Sequence, residues 1–467
     1  MDPIRPPADA VTARLGLWDA TSIIVGIIIG VGIFELPASI FQKVPGPWEA
    51  LGVWALGGML ALAGAFCFAE LASTYPRSGG EYVYLTRAFG SLVGYLFAWA
   101  QLTVIRPCSI GWLAYVFALY ASSLVSGGAH GILLFAILAV VVLTAINILG
   151  VTLGTTAQNL LTLAKIIGLV AVIAVGLFWG SSENANTANR HVETSWFAWS
   201  MIAVLWTYSG WHEAAYVAAE VKDGRRNIPK ALLLGTLTVT LIYVLVNVAY
   251  LFGTGLNVAK DQLLAADVVG LAWPGAGRQV ITLLIMISAL GAINGMVFTT
   301  ARMFAEFGVE HRVFRPLKHW SRSCGTPVRA LVVQGTIAAA LILAVALVRD
   351  VEKGREGLDT MIEMTAAVFW TFFFLTGLSL FVLRLKDADL PRPFRVPLYP
   401  FLPLLFCAWC GYMVYGAIDY APNASLVGLG LLAAGLPFYF TPEKRRPAGV
   451  LKEPEPVPVG SGAEQHF

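Results

Sequence analysis

Ile28-Ile29-Gly30-Val31-Gly32-Ile33-Phe34 lies midway along the first long apolar segment of the chain. Two glycines one residue apart are poor helix formers, each about 1 kcal/mol worse than alanine. In the middle of a membrane span they predict a deliberately broken helix. Lipid offers no partner to the backbone N–H and C=O groups that a break frees, so such a break must line a cavity. The stretch therefore predicts a polar ligand held by backbone groups.

The rest of the chain is consistent with that setting. Of 467 residues, 57% are hydrophobic and 13% charged, with a mean hydropathy of +0.73. Soluble domains carry about 25% charged residues, so an all-α polytopic membrane protein is predicted. Residues 1–15 hold Arg5, Arg14 and three prolines and run directly into a full-length apolar span. No short apolar region with a small-residue cleavage site precedes it, and no removable signal peptide is expected. The five cysteines are Cys67, Cys108, Cys324, Cys407 and Cys410, with no Cys/His cluster among them. The CxxC of Cys407 and Cys410 puts two small residues on one helix face, and neither metal nor redox chemistry is expected there.

Apolar runs of about 20 residues give about twelve spans. They centre near Gly30, Ala61, Thr103, Val141, Gly168, Ser209, Tyr243, Ser288, Ala339, Phe372, Ala408 and Leu431. With the N-terminus cytoplasmic, 22 Lys and Arg fall on the inner side and seven on the outer, while Arg106 and Lys165 lie inside spans. The positive-inside rule then puts both termini in the cytoplasm of a cell whose plasma or inner membrane holds the chain. The tail, 441–467, is rich in Pro, Glu, Lys and Gly and is expected to be disordered. No nucleotide-binding loop, large soluble domain or catalytic triad pattern is present. An enzyme is not expected, nor any cofactor, metal or nucleic-acid partner.

A second interrupted span reads Trp206-Thr207-Tyr208-Ser209-Gly210-Trp211-His212-Glu213, 178 residues from Gly32 to Gly210. Paired glycine interruptions in two five-span halves point to an inverted-repeat transporter. Spacing alone leaves open a packing glycine, which is common in membrane helices.

Further motifs follow Gly30-Val31-Gly32-Ile33-Phe34: Ala69-Glu70-Leu71 and Pro76-Arg77-Ser78-Gly79-Gly80-Glu81-Tyr82. Ile105-Arg106-Pro107, Gly210-Trp211 and Arg226-Asn227-Ile228-Pro229-Lys230 come next. Asn294-Gly295, Thr300-Ala301-Arg302 and Pro391-Arg392-Pro393-Phe394 with Val396-Pro397 complete the series. Over about 430 residues these motifs in order resemble the amino acid–polyamine–organocation (APC) superfamily, and most closely its L-type amino acid transporter branch. The resemblance implies a leucine-transporter-like fold. Residues 16–180 and 195–385 would be two inverted five-helix repeats, and 396–440 two extra helices. It also implies a free amino acid bound between broken helices 1 and 6. The residues suit that ligand. Amides of Val31, Gly32 and Ile33 at a helix N-terminus fit a carboxylate. Carbonyls near Ile28 and Trp206, at C-terminal helix ends, fit an ammonium.

Two positions depart from the family pattern: Val31 stands where Ser or Thr is common between the glycines, and His212 where L-type members usually carry Asn. Trp206 matches the family's gating aromatic, and Trp211 reads as packing. By the resemblance, Lys165 takes the place of the sodium ion of sodium-coupled relatives, as a fixed charge or as a proton carrier. Snorkelling to the interface is the competing reading. Arg106 is expected to pair with a buried carboxylate, Glu213 or Glu363, as a structural or gating pair. His212 and Glu213 either titrate near the cavity or pack. Asn294 either lines the cavity or bonds a neighbouring helix.

The expected function is sodium-independent exchange of neutral amino acids by alternating access. Proton symport and an amino acid sensor without transport are the alternatives. Animal L-type transporters join a glycoprotein subunit through a Cys between spans 3 and 4. Here 121–131 has no Cys, so no disulfide-linked glycoprotein subunit is expected.

Overall fold

The computed structural model describes residues 16–440 except 76–79, 126–127, 150–154, 186–194, 213–220, 257, 259–262, 322–325 and 349–353. Both tails, residues 76–79 of the third motif and Glu213 thus lie outside the described residues.

The break at Gly30 separates α1 (Leu17–Ile28) from α2 (Gly32–Lys43), whose axes bend by 44°. α3 (Pro47–Thr74) starts with proline at its first position, where no amide partner is needed. α4 (Glu81–Phe89) and α5 (Ser91–Ala100) follow. A π turn, Gln101–Ile105, joins α5 to α6 (Arg106–Leu124). Pro107 cannot donate a helix hydrogen bond, and widening the turn before it accommodates that loss. The Arg106 amide accordingly reaches back to the Gln101 carbonyl.

Next come α7 (Gly128–Ile148), α8 (Thr155–Trp179), the single turn α9 (Ser182–Ala185) and α10 (Trp196–Tyr208), which ends at Ser209. The second half holds α11 (Gly224–Thr254), α12 (Leu264–Ala272) and α13 (Ala276–Glu310). A 3-10 segment, Arg312–Lys318, leads to α14 (Val328–Val348) and α15 (Gly354–Lys386). α16 (Phe401–Tyr420), α17 (Pro422–Ala433) and α18 (Leu436–Tyr439) close the chain.

Each expected span centre falls inside a helix or, at Gly30, Thr103 and Ser209, at a break or the π turn. Among the described residues, eight helical stretches are long and apolar enough to cross a membrane, and α1 with α2 makes a ninth as a bent pair. α10 and α17 are shorter, and the described part of α8 is apolar over Leu163–Trp179. The chain is an all-helical polytopic membrane protein.

α11 runs against α1, α3 and α8, and α10 sits between α2, α3 and α16. Trp54, Tyr208 and Tyr243 pack as an aromatic triangle with centroids 5.0–6.0 Å apart. At one end of the bundle Glu70, 1% exposed, receives both arms of Arg384, Nε to Oε1 at 2.8 Å and an η nitrogen to Oε2 at 2.5 Å. The Val396 amide also donates to Glu70, at 2.7 Å. One carboxylate thus ties α3 to the end of α15 and to the loop before α16. The Ala69-Glu70 and Arg392–Pro397 motifs, 326 residues apart, are two sides of one contact.

Candidate functional site

The two breaks face each other. A Cβ placed on Gly32 would stand 3.3 Å from Thr207 Cγ2, in the last turn of α10. One placed on Gly210 would stand 3.1 Å from Ile27 Cγ2, in the last turn of α1. Gly210 also holds φ at +114°, a conformation closed to side chains. Each glycine therefore lets the other half's helix end come close. The structure brings Ile28, Gly30, Val31, Gly32 and Ile33 together with Thr207, Ser209 and Gly210.

The backbone groups at this junction divide by function. Val31 caps α2, and among the described residues the amides of Val31, Gly32 and Ile33 carry no hydrogen bond. They are the open donors of a helix N-terminus, a site for an anion. The carbonyls are already engaged. Ile28 accepts the Gly30 amide at 2.8 Å and the Tyr243 hydroxyl at 2.9 Å. Trp206 accepts the Ser209 amide at 3.1 Å and the Ser209 hydroxyl at 2.6 Å.

Tyr243 on α11 was not singled out by sequence reading, and it holds the junction. Its hydroxyl lies 2.9 Å from the Ile28 carbonyl and 3.4 Å from that of Thr207, joining the ends of α1 and α10. Two turns on, the Tyr250 hydroxyl donates to the Ile33 carbonyl at 3.3 Å. Pro37 in α2 has no amide to give that carbonyl, so Tyr250 satisfies a group the sequence had orphaned. Asn247, fully buried between the two tyrosines, donates to the Tyr243 carbonyl at 2.8 Å. An α11 face spaced i, i+4, i+7 thus braces both sides of the first break. Glu35, buried in the first turn of α2, is a further intramembrane carboxylate that sequence reading passed over, at a helix end whose dipole favours one.

Beside the second break a narrow pocket, with room for about one water molecule, lies between α3, α10, α15 and α16. Ser209 gives it a polar edge; Leu60, Trp211, Phe369, Phe373 and Phe406 supply apolar wall. Trp206 stands nearby, edge-on to Trp112 at 6.2 Å and tilted against Phe369 at 6.3 Å. His212 is 7% exposed and caged by Phe68, Trp211 and Phe373. Its Nδ1 has no hydrogen-bond partner among the described residues.

The remaining expected residues lie around this centre. Lys165 is 6% exposed on α8, which packs on α11, α12 and α13. Arg106 is 9% exposed and donates through Nε to Gln101 Oε1 at 3.0 Å. Gln101 is one partner that sequence reading did not name; of the two expected carboxylates, Glu213 lies outside the described residues. Asn294 accepts from Asn147 Nδ2 at 2.8 Å, so of its two readings the interhelical bond, α13 to α7, is the one seen. Cys67, Cys108, Cys407 and Cys410 are buried free thiols.

The family model described as amino acid permease matches residues 15–431. The chain is 32% identical over 441 residues to the b(0,+)-type amino acid transporter 1 of Mus musculus, covering 91% of this chain and 87% of that one. It is 31% identical over 441 residues to the serine/threonine exchanger SteT of Bacillus subtilis, covering 93% of this chain and 97% of the relative. A third relative is the large neutral amino acids transporter small subunit 2 of Homo sapiens, 29% identical over 448 residues, with 92% and 80% covered. With a family match over nearly all the described helices and relatives aligned along most of their length, the chain belongs to the amino acid permease family of membrane transporters, within the APC superfamily.

Proposed function

We propose that this protein is a sodium-independent exchanger of neutral amino acids that alternates access to one site between the breaks of α1/α2 and α10. The observation that carries the reading is the junction itself: open amides at Val31, Gly32 and Ile33 beside two helix C-termini. The amides take the substrate carboxylate. The negative ends of α1 and α10 take its ammonium, with the Tyr243 and Ser209 hydroxyls, which accept as well as donate, next to the carbonyls of Ile28 and Trp206. The aromatic pocket at Ser209, too narrow for a side chain as it stands, opens to receive an apolar one. With Val31 in place of a hydroxyl residue, carboxylate recognition rests on the backbone alone. Trp206 gates the site.

Lys165, buried on α8, supplies a fixed charge where a coupling sodium would otherwise be needed. Exchange follows, because a fixed charge provides no coupling ion. α8 and the shorter α10 and α17 complete twelve spans. The two breaks are equivalent points of an inverted 5+5 repeat, residues 16–180 and 195–385, followed by two helices. Both termini lie in the cytoplasm, in the plasma or inner membrane, and no disulfide-linked glycoprotein is required.

The Nδ1 of His212, without a hydrogen-bond partner among the described residues, favours a second reading, proton symport. Uptake of a panel of labelled amino acids into sodium-free proteoliposomes separates the two. Uptake that requires preloaded amino acid supports exchange. Uptake into empty vesicles driven by an inward proton gradient supports symport. Silence without sodium, relieved by adding it, overturns the role given to Lys165.

A further inference from the structure

The connection from α13 to α14 carries a pattern that the transport site does not use. In the 3-10 segment Arg312-Val313-Phe314-Arg315-Pro316-Leu317-Lys318, three residues make a turn, so positions i and i+3 eclipse. Arg312, Arg315 and Lys318 therefore stack in one column, about 6 Å apart, and Phe314 and Leu317 stack in the next. Burial follows the columns: Phe314 is 0% and Leu317 6% exposed, Arg312 and Arg315 are exposed, and Lys318 is partly so.

The segment is a built platform. Gly308 lets it fold back on α13, where a Cβ would meet the Phe314 carbonyl oxygen and the Lys318 amide nitrogen at 2.5 and 2.9 Å. Phe314 packs on Tyr95, Trp99 and Phe307. The Ser321 amide donates to the Thr326 carbonyl at 2.8 Å, which brings Trp320 beside the start of α14, where Arg329 is exposed. Trp320 is itself 47% exposed, with the Arg302 guanidinium 5.7 Å from its ring centroid. Between Glu310 and Asp350 the chain has no acidic residue.

We propose that the face formed by Arg315, Lys318, Trp320 and Arg329 binds the headgroup of an anionic phospholipid. A cation column alone suits any polyanion. An exposed Trp, with Val309 55% exposed nearby, at the end of a membrane-length helix is the composition of the membrane–water interface. An acidic soluble partner would leave those apolar groups unexplained. Arg and Lys beside an anionic leaflet attract its headgroups, and guanidinium groups engage phosphate through paired hydrogen bonds. The proposal rests on the reading above that this end of α13 lies at the cytoplasmic membrane surface.

The test is native mass spectrometry of the full-length purified protein titrated with phosphatidylglycerol or phosphatidylcholine. The variant R315Q/K318Q/R329Q is compared with K222Q/R226Q/K230Q, which removes the same charge from other exposed positions. The first variant is expected to bind phosphatidylglycerol roughly ten- to a hundredfold more weakly, while the second stays within about threefold of the parent and phosphatidylcholine binding is unchanged in both. W320A is expected to weaken phosphatidylglycerol severalfold at constant charge. Equal binding by the first variant, an equal loss in the second, or an unchanged W320A would overturn the proposal. So would displacement of the lipid by equimolar glycerol phosphate, which would mark a soluble-phosphate site instead. Lipid retention is read without flux, so failure of the transport reading and failure of this one are separately visible.

Discussion

The Tyr243 hydroxyl donates to the Ile28 carbonyl at 2.9 Å across 215 residues of sequence, and lies 3.4 Å from the Thr207 carbonyl. One phenol on an unbroken helix thus holds the ends of two broken ones. Removing it leaves the Ile28 carbonyl with the Gly30 amide alone, a cost of about 1 kcal/mol. Y243F is expected to fold, with a lowered thermal midpoint, and to exchange amino acids at least tenfold more slowly than the parent. Exchange at the parental rate would show that the junction does not need the phenol.

Tyr250 offers a sharper test, because its role follows from Pro37. The Ile33 carbonyl lacks its helix partner only because residue 37 has no amide. Y250F should cost about 1 kcal/mol, and P37A should supply the missing donor from within α2. The double variant P37A/Y250F is therefore expected to be more stable than Y250F alone in thermal unfolding. If the two losses simply add, the hydroxyl is not satisfying that carbonyl.

How far these relationships were legible in the sequence depended on the residue type. The first break was readable because paired glycines in an apolar span have few other uses, and Gly210 became a break only once its φ of +114° and its approach to Ile27 were seen. The tyrosines were not readable: on a membrane helix, Tyr243 and Tyr250 look like any aromatic core residue. Pro37 was the available signal, since a proline inside a helix announces an orphaned carbonyl four residues earlier. Gln101 was not legible beside Arg106 because a buried charge points to a carboxylate, whereas the π turn sets a neutral side chain next to it. Glu70 and Arg384 were each visible, but nothing local to either pairs residues 314 apart.

That pair predicts its own energetics. Removing one member of a buried ion pair costs about 3–5 kcal/mol, because the other charge is left uncompensated. R384A and E70A should each lower stability by an amount of that order, with the Glu70 variant at the low end, since the Arg384 it leaves behind is 18% exposed whereas Glu70 is 1% exposed. In thermal unfolding the double variant should lose clearly less than the sum of the singles. Strict additivity would mean that the contact is not coupled.

A second contact at the same end is pH-sensitive. Asp387 accepts both arms of Arg87, at 2.6 and 2.9 Å, and the Tyr75 hydroxyl at 2.6 Å. The hydrogen bond from Arg87, aided by that from Tyr75, holds its carboxyl below the usual carboxylate range against the opposing effect of burial. A carboxyl with a lowered pKa contributes stability above its ordinary value of about 4 and loses it as pH falls through the lowered one. The parent should be more stable than D387N at pH 7, and the two should converge as the pH is taken well below 4. A gap that persists in acid would place the contribution of Asp387 elsewhere.

The most direct test of the site is the structure of the protein bound to whichever neutral amino acid it exchanges fastest, at a resolution that separates carboxylate from side chain. The carboxylate is predicted on the amides of Gly32 and Ile33, about 3 Å away, with the ammonium between the ends of α1 and α10 and the side chain toward Ser209 and Phe373. An amino acid bound away from the two breaks, or one whose carboxylate is held by Lys165 or Arg106, would contradict the account.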